Sequence, residues 1–123
     1  MVFSGTTQSV TDTSGRAFGW NVVVNSGSAV TVQPGSVVTV GNDFTDNGTV
    51  NLSMAVPASA TPLVVGHDLV EGAGSVFNLT LGNTNAGLAY IFITFGGAET
   101  GGATFSANAG TVHHNSNNIS VTT

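Results

Sequence analysis

Four carboxylates at matched spacing are the residues of this chain best placed to do chemistry. Asp43 and Asp46 correspond to Asp68 and Glu71, because Val40-Gly41-Asn42-Asp43-Phe44 returns further along as Val65-Gly66-His67-Asp68-Leu69. If the two stretches stack, carboxylate lies over carboxylate at about 4.8 Å. Oxygen ligands paired in this way suit Ca²⁺, and paired acids also serve as general acid and base in glycoside cleavage. The plainer reading is a solvated acidic corner, since like charges at that spacing cost about 1 kcal/mol in water. No basic residue, tyrosine or histidine recurs beside the acids to orient a substrate, so neither catalysis nor a cofactor is expected.

The other polar signals are weaker. His113 and His114 are neighbours, and on a strand they point to opposite faces, which spoils chelation of one metal. His67, between Gly66 and Asp68, reads as a turn residue. Glycosylation sequons begin at Asn47, Asn51, Asn78 and Asn118, but chance produces such matches in a chain rich in Asn, Thr and Ser, and asparagine ladders account for them better. The sequence contains no Gly-x-Ser-x-Gly elbow, phosphate-binding loop or dinucleotide fingerprint.

The elements that must position these residues are short strands. Besides the repeat above, Gly48-Thr49-Val50-Asn51-Leu52 returns as Gly74-Ser75-Val76-Phe77-Asn78-Leu79. A period in the range of about 20 to 50 residues marks an array whose units bury their apolar faces only by stacking. Within one unit, Gly-Ser-x-Val-Thr-Val occurs at Gly27–Val32 and again at Gly35–Val40. That close recurrence puts equivalent strands on successive faces of one coil, with turns at Asn25-Ser26-Gly27 and Gln33-Pro34-Gly35.

Alternation points Val22, Val24, Val30, Val32, Val38, Val40, Val50, Leu52, Leu79 and Leu81 inward, and Thr31, Thr39, Asn51 and Thr80 outward. Pro57 makes Met54–Thr61 a loop off one corner. Leu88–Phe95 is the most apolar run and lacks clean alternation, so either both its faces are buried or one awaits a partner. Ile119-Ser120-Val121 reads as a last short strand. The expected organisation is one domain over 1–123, with 1–14 as a cap or edge segment, 15–95 as repeat core and 96–123 as glycine-rich C-terminal coils or cap.

Composition narrows the function classes. The 123 residues are 41% hydrophobic, enough for a core, yet only 6% are charged: six carboxylates, Arg16 and no lysine. A typical chain has about 25% charged residues. Thr, Ser, Asn and 17 Gly supply a neutral polar surface suited to turns and strands. A net charge of −5 with a single basic side chain argues against nucleic acid and against anionic membrane surfaces. There is no cysteine, no basic leader and no uninterrupted apolar stretch of membrane-spanning length, so membrane insertion is not expected.

The run Val-Thr-Val-Gly-Asn-Asp-Phe-Thr-Asp-Asn-Gly-Thr-Val-Asn-Leu, residues 38–52, and its counterpart Pro62–Leu81 resemble the repeats of bacterial autotransporter and filamentous-haemagglutinin-type adhesin passenger domains. The resemblance covers Val22–Leu81, about half the chain, and implies a right-handed parallel β-helix, here of about five coils, outside the cell or at its surface. The rival fold is a β-sandwich or jelly roll. The expected function is a non-catalytic structural or adhesive solenoid that associates with itself into a filament or oligomer. Tyr90, Ile91, Phe92, Ile93 and Phe95 are the expected contact, with end-to-end stacking or a trimer as the geometry and surface glycans as a further partner. The alternatives are a carbohydrate-binding or carbohydrate-cleaving β-helix with Trp20 and Tyr90 as platforms, a virion subunit, and an ice-binding solenoid, for which regular Thr ranks are missing.

Overall fold

The computed structural model describes residues 1–14, 16–57 and 59–123. Gly15, the expected start of the repeat core, and Ala58, within the expected loop, lie outside them. The described residues contain sixteen strands and no helix. The chain runs β1 (Val2–Phe3), β2 (Gln8–Val10), β3 (Ala17–Gly19), then β4 (Val22–Val24), β5 (Ala29–Val32), β6 (Val38–Val40). It continues through β7 (Phe44–Asp46), β8 (Thr49–Met54), β9 (Leu63–Val65) to β10 (Leu69–Glu71), β11 (Val76–Leu81), β12 (Ala89–Phe95). Each group of three is one turn of a solenoid, and each strand pairs in parallel with its equivalent in the next turn.

Three sheets result, β1-β4-β7-β10-β13, β2-β5-β8-β11-β14 and β3-β6-β9-β12-β16-β15. The fold is therefore an all-β parallel solenoid of about four turns, and the sandwich alternative falls because antiparallel pairing is confined to β12, β16 and β15. The repeat reading holds residue by residue: Phe44 pairs with Leu69, and Asn51 with Asn78. Every residue expected inward is buried, from Val22 to Leu81, and none of the residues expected outward is.

Backbone turns close the corners. Ser28 and Ser36 donate their amides back to the carbonyls of Asn25 and Gln33 at 3.0 Å, with Gly27 and Gly35 at φ 79° and 83° between. Only glycine takes that backbone without strain.

A fifth turn begins with β13 (Glu99–Gly101) and β14 (Thr104–Ala107) but is not completed. Instead β15 (Thr111–His114) turns back into β16 (Asn118–Thr122), which lies antiparallel on β12. The third sheet thus gains one strand over the other two, and β15 stands a layer beyond β13 and β14.

This closure corrects the expected self-association face. Tyr90, Phe92 and Ile93 are fully buried and Phe95 nearly so, leaving only Ile91 substantially exposed. Ile119 and Val121 of β16 are themselves fully buried in the core that holds them. A bulge between Ile91 and Ile93 explains the missing alternation: it shifts the parity so that Phe92 and Ile93, consecutive in sequence, both point inward.

Candidate functional site

Most of the chain's chemistry sits on one corner, between the third and first sheets. Val40 and Val65 end their strands on the inside, and the chain must then turn sharply against the turn below. Gly41, Gly66 and Gly96 stack there, with Gly66 bonding the carbonyl of Val40 at 2.7 Å and Gly96 that of Val65 at 3.1 Å. A Cβ on Gly66 would strike the carbonyl of Gly41, and one on Gly96 that of Gly66. The next position forms the column Trp20, Asn42, His67, Gly97, joined by amide-to-carbonyl bonds of 2.7 to 2.9 Å.

The position after that forms the column Asn21, Asp43, Asp68, Ala98. Each side chain accepts the amide of its successor through Oδ1: Asn21 from Asp43 at 3.2 Å, Asp43 from Asp68 at 3.0 Å, Asp68 from Ala98 at 2.8 Å. Asp43 and Asp68 are therefore held in place as rungs of a ladder. His67 Nδ1 lies 2.8 Å from Asp43 Oδ1 and 3.6 Å from Asp68 Oδ1. The Asp68 amide and the His67 ring together lower the pKa of Asp43, and the bond to Asp43 raises that of His67.

The ligand atoms of Asp43, His67 and Asp68 lie within 4.8 Å of one another. One imidazole and two carboxylates match the donor set of a transition ion better than that of Ca²⁺, which takes six to eight oxygens. Both carboxylates, however, already spend one oxygen on the backbone. Trp20, 69% exposed, lies across Gly41 on the same corner, beside Asn42.

The expected Ca²⁺ set of Asp43, Asp46, Asp68 and Glu71 does not come together. In β7, Phe44 points inward, Thr45 outward and Asp46 inward, and β10 repeats the pattern with Leu69, Val70 and Glu71. Asp43 and Asp68 form the acidic corner, whereas Asp46 and Glu71 lie inside the solenoid in the column begun by Phe3 and Val24. Asp46 is 0% exposed and Glu71 6%.

Asp46 Oδ1 accepts the Gly48 amide at 2.8 Å, and Glu71 Oε1 accepts the Ala103 amide at 2.9 Å. Among the described residues, Asp46 Oδ2 and Glu71 Oε2 are buried and accept nothing. Burial pushes Asp46 up to about 7, and burial with the neighbouring Glu99 carboxyl pushes Glu71 up to about 8. Both are neutral acids at mildly acidic pH. Beyond them, Glu99 Oε2 lies 2.8 Å from His114 Nδ1, and His114 stands edge-on to Phe105 at 4.8 Å.

The other polar residues have plain structural roles. His113 bonds Thr122 at 2.6 Å across the hairpin and His114 bonds Glu99, so the two diverge as their adjacency predicts. Asn78 donates to Asn51 at 2.9 Å and Asn51 to Thr31 at 3.1 Å, the asparagine ladder expected at those positions. Tyr90 is inside, its hydroxyl donating to the Asn83 carbonyl at 2.8 Å, and can serve no ligand as a platform. A shallow groove of about 430 Å³ lies under the Met54–Thr61 loop, lined by Met54, Pro57, Leu88 and Ile91 and by no acid or base among the described residues.

Sequence reading missed two copies of the corner. Gly19-Trp20-Asn21-Val22 and Gly96-Gly97-Ala98 are its first and last occurrences, and the column of corner glycines was the signal that could have revealed them. Compared with family profiles, with curated proteins and with solved structures, the chain matches none.

Proposed function

We propose that the chain is a non-catalytic structural β-solenoid, acting outside the cell or at its surface as a rigid presenting rod, and that it associates with itself through its N-terminal end. The observation carrying this reading is the first turn. β1, β2 and β3 each pair on one side only, so a triangle of open strand edges faces outward there. Met1 and Val2 are 56% and 57% exposed on that end, and Phe3 and Phe18 stack beside them at 5.9 Å. Proteins normally block such edges with lysine, proline or a covering helix, and this turn has none of them among its described residues.

The opposite end differs. β15 stands a layer beyond β13 and β14, so a second copy stacked head to tail would collide with it on the third sheet. The contact therefore closes as a two-fold dimer between N-terminal ends and does not propagate as a filament. The resemblance to adhesin passenger repeats supports a place at the cell surface, and the neutral Thr, Ser and Asn surface is consistent with it.

A second reading, glycan binding, is favoured by one observation: exposed Trp20 shares its corner with Asn42, Asp43 and Asp68, an aromatic face beside hydrogen-bonding groups.

Sedimentation velocity at micromolar concentration tests the principal reading. The wild type should sediment as a dimer, and Val2→Lys with Ser9→Lys, which put charge on two open edges, should give a monomer. A wild-type monomer would overturn it and leave the Trp20 corner as the functional surface.

A further inference from the structure

The interior acids are the one polar group of the core that neither the packing nor the proposed association uses. Val24, two layers below Glu71 in the same column, shows that the position accepts an aliphatic side chain. Two carboxyls stand there instead, each with one oxygen bonded to a backbone amide and the other buried and unpartnered. Burial without a partner strongly disfavours the ionised form of a carboxylate in that state. A proton removes the charge and gives each carboxyl a donor.

The titratable groups facing Glu71 come from three strands. Asp46 lies beneath it on β7, Glu99 reaches it from β13, and His114 of β15 stands behind Glu99. The core residues of β4 and β14 carry no charge, Val22 and Val24 on the one and Phe105 and Ala107 on the other, and Arg16 precedes β3 on the first turn, at the far end of the stack. No fixed positive charge is at hand to stabilise two anions. Glu71 also ties down the last turn directly, by accepting the Ala103 amide, and the neighbouring Glu99 carboxyl disfavours its ionisation. Like charges on neighbouring carboxyls oppose each other, so the second of them ionises less readily.

We propose that Asp46 and Glu71 form a proton-binding site inside the solenoid, and that loss of its protons releases the last turn, β13 and β14, from β10 and β11. The step is a deprotonation with no covalent change: the Glu71 proton leaves to solvent past Glu99 and His114, and the two carboxylates then repel. The site works in the monomer as in the dimer.

Hydrogen exchange on the full chain tests it, with protection corrected for the intrinsic pH dependence of exchange. Between about pH 5 and pH 9, protection in β13 and β14 should fall about tenfold or more, while that in β5 and β8 holds. Glu71→Gln, whose amide oxygen can still accept from Ala103 and which cannot ionise, should keep the last turn protected at the higher pH. Equal protection at both values, or the same loss in Glu71→Gln, would overturn the proposal. The infrared carbonyl band of a protonated carboxyl gives a second readout on the wild type alone. It should be present near pH 6 and lost by pH 9, and absence of any such titration would also overturn the proposal. Protection at pH 9 restored by Ca²⁺ and abolished by a chelator would show that a cation, not protons, neutralises the pair.

Discussion

Parity along two three-residue strands decides what each of the four repeated acids, Asp43, Asp46, Asp68 and Glu71, does. Asp43 and Asp68 sit one residue before β7 and β10 and become ladder rungs, while Asp46 and Glu71 end those strands on the inside. The signs of their pH effects are opposite. Asp43, held below its usual range, stabilises the fold above its unfolded value of about 4, and that contribution is lost as pH falls through the folded value. It is exposed and its effect is small. His67 is raised, so its contribution is full below about 6.5 and fades as pH climbs through the folded value.

Asp46 and Glu71 are acids raised on folding. Below about pH 4 both states hold their protons, and between there and the folded values of about 7 and 8 the unfolded chain ionises first, so stability falls as pH rises. Asp46→Asn keeps an acceptor for Gly48 without the charge. It should match the wild type near pH 4 and gain on the order of 1 to 3 kcal/mol over it near pH 8, as read by denaturant unfolding. A constant difference across that range would show that Asp46 does not titrate in the core. The burial of these acids was legible in principle: Phe44 and Leu69 are plainly inward, and a period of two carries Asp46 and Glu71 inward with them. Residue type suggested the surface, and strand parity prevailed.

Strands and corners depend on each other through close approach. The third strands of the third and fourth turns are followed by Gly66 and Gly96, where the backbone of the turn below occupies the space of a Cβ. Gly66→Ala should therefore lower stability by about 2 to 4 kcal/mol, whereas Gly102→Ala, where a Cβ meets nothing, should change it by under about 1 kcal/mol. Thermal unfolding of the two variants separates a packed corner from a merely flexible one; equal effects would count against the stacked column. The third and fourth turns were legible because the corner at Gly41 recurs at Gly66 with nearly the same residues around it. Along the column Asn21, Asp43, Asp68, Ala98 the successive sequence separations are 22, 25 and 30, since each turn places a loop of different length between its strands. A fixed period hides the outer copies. The apolar run was misread for a similar reason: one bulge in β12 erased its alternation, and β16, which follows only after β13, β14 and β15, supplied the cover.

At the scale of the whole molecule, stacking in register explains the charge economy and the placement of function. A core of in-register aliphatic columns needs no ion pairs, and three polar ladders, Asn21-Asp43-Asp68, Thr31-Asn51-Asn78 and the corner amides, hold successive turns at fixed height. The two ends were the least legible part of the sequence, because closure by an antiparallel hairpin is a tertiary choice that no local pattern announces. The register of the third turn against the fourth underlies both the corner and the interior acids, since it also sets Asp46 beneath Glu71. With no native cysteine to interfere, paired substitutions measure that register directly. Asn51→Cys with Asn78→Cys places two outward positions directly opposite, within the Cα separation of about 4.4 to 6.8 Å that a disulfide spans. Asn51→Cys with Thr80→Cys offsets them by two residues, to about 8 Å. The stacked solenoid predicts rapid intramolecular cross-linking of the first pair under mild oxidation and little of the second; preferential cross-linking of the offset pair, or of neither, would contradict it.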